Sequence, residues 1–64
     1  MNKAQAYLAM LEGHKIRHEY YGKEEFAYIK DGSIWTEEGC NHGGYHDEFW
    51  SIYQKWLTGW SIVE

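Results

Sequence analysis

Apolar positions along the chain follow a helical period near each end and an alternating one between them. From 2 to 12, Ala4, Tyr7, Leu8 and Leu11 recur at i, i+3, i+4 and i+7, which predicts a helix burying that face. Asn2 suits its N-cap and Gly13 its left-handed C-cap. Residues 14–20 alternate, with Ile16, His18 and Tyr20 opposite Lys15, Arg17 and Glu19, as in a strand with one covered face. Beyond Gly22 the alternation resumes over 25–30, where Phe26 and Tyr28 oppose Ala27 and Ile29. Asp31-Gly32 predicts a two-residue hairpin turn, because both positions of a type I′ turn need positive φ. Residues 33–36 return as a third strand, and the three glycines in 37–44 predict a loop. From Tyr45 to Leu57 the helical period is back, with Phe49, Ile52, Tyr53 and Trp56 on one stripe widened by Trp50 and Leu57. Gly59 ends it, and 60–63 read as a short final strand. The predicted fold is a single α+β domain over 1–64: an N-terminal helix, a three-stranded antiparallel meander, a second helix and a C-terminal strand, with the helices packed on one sheet face.

Composition sharpens the question of what fills that fold. The chain has 64 residues, too few for doubly wound nucleotide-binding folds, barrels or two-domain enzymes. It nevertheless carries 4 Trp, 6 Tyr and 2 Phe, and each buried ring removes about 150 to 250 Å² from water. Tyr7, Ile16, Phe26, Ile34, Phe49, Ile52, Trp56 and Trp60 suffice for a helix-on-sheet core, which leaves Tyr21, Trp50 and Tyr53 for an interface, with a partner or with further copies of this chain in a homo-oligomer. The formal net charge of −4 and the absence of a Lys/Arg stripe argue against DNA or RNA as partner. A lone cysteine suits a reducing compartment. No signal peptide or membrane span is expected, so the expected location is the cytoplasm.

Three constellations carry candidate chemistry. Cys40, His42 and His46, with His14 and His18 earlier, supply zinc-type ligands without a common zinc spacing. Lys15 and Arg17 with Tyr20 and Trp35 could offer cations to a phosphate and rings to a base. The pairs Glu24-Glu25 and Glu37-Glu38 read as solvated surface rather than an acid-base pair, and Cys40 with His42 lacks a visible orienting group. No enzyme activity and no cofactor are expected.

The stretch Leu11-Glu12-Gly13-His14-Lys15-Ile16-Arg17 resembles the opening of small phage and prophage proteins. The hairpin from Phe26 to Ile34 and the ending Gly59-Trp60-Ser61-Ile62-Val63-Glu64 are similar to parts of the same group, which includes the Thoeris anti-defence 2 type. The chain differs in having Tyr20-Tyr21 where that type has Gly-Trp and in lacking its central insertion, with an aromatic helix in that place. The resemblance implies a phage-encoded anti-defence protein in the host cytoplasm. Beside the residues themselves, it leads to an expected inhibitor that binds a host defence protein through an aromatic and acidic surface, with Tyr21, Trp50, Tyr53 and Trp56 as contacts. One alternative is a homo-oligomeric sponge for a cyclic nucleotide, held by Lys15, Arg17, Tyr20 and Trp35. A second is a zinc-stabilised mini-domain using Cys40, His42 and His46.

Overall fold

A computed structural model of the chain describes residues 1–39 and 41–63. The elements run α1 (Lys3–Leu11), β1 (Lys15–His18), β2 (Ala27–Lys30), β3 (Ser33–Thr36), α2 (His46–Ile52) and β4 (Trp60–Val63). The strands form one antiparallel sheet in the order β3-β2-β1-β4, so the chain is α+β as its patterning predicts.

Local chemistry sets most of the boundaries. The Asn2 side chain accepts from the Gln5 amide at 2.8 Å and Gln5 answers on the Asn2 amide at 2.9 Å, a reciprocal cap worth about 1 kcal/mol. At the other end of α1, Gly13 takes φ 98° while the His14 amide reaches back to the Ala9 carbonyl and the Gly13 amide to Met10. The hairpin turn has positive φ at both Asp31 (52°) and Gly32 (79°), which locks Lys30 opposite Ser33 and Ala27 opposite Thr36.

One face of the sheet is covered. Ile16, His18, Ala27, Ile34 and Trp60 are buried there beneath Ala6, Ala9 and Met10 of α1 and Phe49 of α2. By strand alternation the other face carries Lys15, Arg17, Tyr28 and Trp35. The Lys15 ammonium lies 4.8 Å from the Phe26 ring centre.

Three expectations about packing need correction. α1 is rotated from its predicted face: Ala6, Ala9 and Met10 are buried, while Ala4, Leu8 and Leu11 are exposed and Tyr7 is half-buried. α1 packs on β1, β2 and β4, and its alanines let it lie close to the sheet. Phe26 is only half-buried, because Ala27 is the residue that pairs with Ile16 on the inner face. The second helix stops at Ile52, which is 62% exposed, instead of running to Leu57. Beyond it the bonds tighten to i→i+3, from Tyr53 to Trp50 and from Trp56 to Tyr53. That turn carries Trp56 onto His18, and the Trp60 indole N–H then donates to the Trp56 carbonyl at 2.9 Å.

His18 is 1% exposed and fully bonded. The Tyr20 amide can only donate, so Nδ1 accepts it at 3.1 Å, and Nε2 donates its hydrogen to the Thr58 carbonyl at 2.7 Å. Trp56 stacks on the ring at 4.2 Å and Trp60 meets it edge-on at 4.9 Å. Both outer strands are partly covered by backbone. Met1 and Trp60 exchange two hydrogen bonds, Ile34 does the same with His42 and Gly43, and the Gly39 amide donates to the Thr36 carbonyl.

Gly59 sits at φ 93°, and a Cβ there would meet His18 Nε2 at 2.9 Å and the Glu19 side chain at 3.0 Å. Gly13, at φ 98°, faces open space, and a Cβ there would meet nothing within 4 Å. Gly13→Ala is therefore expected to cost about 1 kcal/mol of backbone strain. Gly59→Ala is expected to cost about 2 kcal/mol or more, since crowding is added to the strain. Urea denaturation of the two variants checks this, and equal losses would show that the His18 contact adds nothing.

Candidate functional site

Four half-buried rings, Tyr21, Trp50, Tyr53 and Trp56, form a belt around Trp60. Tyr21 lies 5.8 Å from Tyr53 and 6.0 Å from Trp56, and Tyr53 lies 5.0 Å from Trp56. Trp50 occupies the other flank, edge-on to Phe49 and Trp60 at 5.1 Å and to Tyr7 at 5.9 Å. The four expected partner-contact residues thus share one aromatic belt, packed against the core and half-exposed. The rings that face solvent most fully are others, Tyr45 at 77% and Tyr20 at 70% exposed.

Beside Tyr21 and Tyr53 the belt opens into a cleft of about 300 Å³, lined also by Phe26, Thr36, His42, Glu25, Glu37 and Glu38. The last three glutamates continue into a shallower hollow of about 500 Å³ with Gly22, Lys23 and Glu24. Backbone geometry assembles this acidic edge. The Phe26 amide donates to the Glu37 carboxylate at 3.2 Å and the Glu37 amide to the Phe26 carbonyl at 3.3 Å, so the hairpin pairing runs on beyond the strands. Glu25 folds over Gly22, where a Cβ would meet its Oε1 at 2.7 Å. Arg17 Nη2 donates to the carbonyls of Tyr21 and Gly22, both at 3.3 Å, and so holds the loop that presents Tyr21.

Burial pushes the Tyr21 phenol well above its ordinary range, and the neighbouring Tyr53 phenol and the Glu25 and Glu37 carboxylates push it the same way. A proton held this firmly marks a local environment hostile to negative charge.

The remaining candidates lie apart. Lys15 and Arg17 belong to the open sheet face, as does Trp35, two strands away in the sheet order. Tyr20 instead leans on His18 and Trp56, at 5.1 and 5.5 Å. These four are not gathered into one pocket. Of the zinc-type residues, Cys40 lies outside the described residues. His46 has both nitrogens engaged: the Gly32 carbonyl takes the Nε2 hydrogen at 2.9 Å, and Nδ1 meets the Tyr7 hydroxyl at 2.6 Å. His42 packs edge-on to Phe49 at 5.5 Å, and His14 is exposed. Among the described residues, no group of three His, Cys, Asp or Glu side chains is arranged to hold a metal ion. No described helix is long and apolar enough to cross a membrane.

Glu24, Glu25 and Glu38 are exposed, as the patterning of the residues predicts, and Glu25, Glu37 and Glu38 also line the cleft, which the patterning does not reveal. A signal for this is present in the turn: two residues at Asp31-Gly32 set 27 opposite 36, and the same register continues to Phe26 and Glu37. No family model, no curated protein and no solved structure matches the chain.

The raised Tyr21 phenol gives a pH signature. Its protonated form is favoured in the folded state, so the stabilisation is complete below the unfolded value of about 10 and is lost as pH climbs above it. Stability measured by urea midpoints is expected to fall through that alkaline window in the wild type. The fall should be shallower in Tyr21→Phe, and identical slopes would remove Tyr21 as its source.

Proposed function

We propose that this protein is a non-enzymatic binding protein that docks a protein partner on the face formed by the aromatic belt and its acidic cleft. The observation that carries the reading is the cleft in which Tyr21 and Tyr53, both packed on Trp56, stand beside Glu25, Glu37 and Glu38. Half-buried tyrosine and tryptophan side chains lose little entropy on contact and present apolar area with a polar tip, the combination enriched at binding hot spots. Carboxylates around them steer a basic surface and raise the association rate. Inhibition of a host defence protein by a phage product is the setting that the sequence resemblance suggests for such docking.

Glu25 and Glu38 are exposed, so reversing their charge leaves the core packing untouched. The doubly reversed Glu25→Lys, Glu38→Lys variant is expected to keep the wild-type circular dichroism spectrum. It should lose at least about tenfold in recovery of any partner that the wild type captures from source-cell lysate. Equal recovery by the two proteins would place the docking surface elsewhere.

A further inference from the structure

We propose that the cleft between the Tyr21 and Tyr53 rings and the Glu25, Glu37 and Glu38 carboxylates is a receptor for an organic cation: the guanidinium or ammonium end of an arginine or lysine side chain on a basic segment of the partner. The inference rests on the docking reading above and names the chemistry that the docked surface must bring.

Three observations lead there. The walls are of two kinds. Tyr21 and Tyr53 stand edge-to-face at 5.8 Å, and carboxylates line the same space. Aromatic faces attract a cation through their quadrupole, and carboxylates accept the hydrogen bonds of a guanidinium or ammonium. The chain already makes one such contact at the border of the cleft, Lys15 against the Phe26 ring.

The carboxylates are also gathered on one edge. Glu25, Glu37 and Glu38 line the same cleft, where the Glu25 carboxylate lies over Gly22 and the Glu37 carboxylate accepts from the Phe26 amide at 3.2 Å. Carboxylates that share a cleft attract an entering cation.

The third observation separates an organic cation from an inorganic one. A divalent metal needs several oxygens converging at about 2.0 to 2.6 Å. Among the described residues, no group of acidic or imidazole side chains converges in that way. The cleft is instead about 300 Å³, roomy enough for a side-chain head group between separated carboxylates.

The test is an amide chemical-shift titration of the isotope-labelled full chain. Its probes are a blocked peptide containing three arginines, its lysine counterpart, its norleucine counterpart, and calcium chloride. The arginine and lysine peptides are expected to shift the amides of Tyr21, Glu25, Glu37, Glu38 and Tyr53 saturably. Their affinity should fall at least about fivefold as added salt shortens the Debye length from about 30 to about 10 Å. Glu25→Gln with Glu38→Gln should weaken binding about tenfold, Tyr53→Leu should weaken it, and Tyr21→Phe, which keeps the ring, should stay within about twofold. Each variant is compared at an unchanged circular dichroism spectrum. Equal shifts from the norleucine peptide, shifts from calcium alone, or shifts confined to another face would each overturn the cation site. Peptide binding in the cleft together with undiminished partner capture by the charge-reversed variant would uphold the cation site and remove the docking reading. Loss of capture without any peptide binding would do the reverse.

Discussion

A neutral imidazole with no access to water organises the second half of this chain. His18 closes β1 by accepting from the Tyr20 amide, and it takes hold of the distant Thr58 carbonyl through its other nitrogen. Either bond left unmade inside a core would cost about 1 to 3 kcal/mol, so the positions of Thr58 and of the ring are mutually enforcing. Trp56 stacks on the imidazole and Gly59 passes close beside Nε2, where no side chain fits. The path from α2 to β4 is thereby set. β4 in turn makes β1 an inner strand and gives Met1 a backbone to pair with.

The same arrangement explains how a chain of 64 residues uses so many rings. Trp60, Phe49 and His18 are fully enclosed, and Tyr7, Tyr21, Trp50, Tyr53 and Trp56 surround them as a second layer, each half in water. Edge-to-face geometry recurs through this layer, as the charge distribution of aromatic rings favours. Core and surface are therefore not separate populations of aromatics. A ring such as Tyr53 touches Phe49 and Trp60 inside while lining the acidic cleft outside.

Elements governed by local chemistry were legible from the residues alone. The Asn2 and Gly13 caps, the Asp31-Gly32 turn and the alternation in β1 each depend on neighbours within a few positions. What escaped depends on distant partners. Nothing in the period of Phe49, Ile52, Tyr53 and Trp56 reveals that the helix must end so that Trp56 can reach His18. Leu8 and Leu11 are better apolar candidates than Ala6 and Ala9 until it is known that α1 packs closely on strands carrying residues as large as Trp60. The candidate site divides in the same way. The expected contacts Tyr21, Trp50, Tyr53 and Trp56 do lie together, whereas the carboxylates beside them emerge only when the hairpin register is followed past the ends of its strands.

The covered sheet margins limit how anything can attach to this protein. Trp60 commits both backbone groups to Met1, Ile34 commits both to His42 and Gly43, and the Thr36 carbonyl is taken by Gly39. Addition of a foreign strand needs a run of consecutive free backbone groups along a margin, and each margin here is interrupted within a four-residue strand. Foreign strands therefore find no continuous template at either margin, which limits the indiscriminate backbone pairing through which small sheets aggregate.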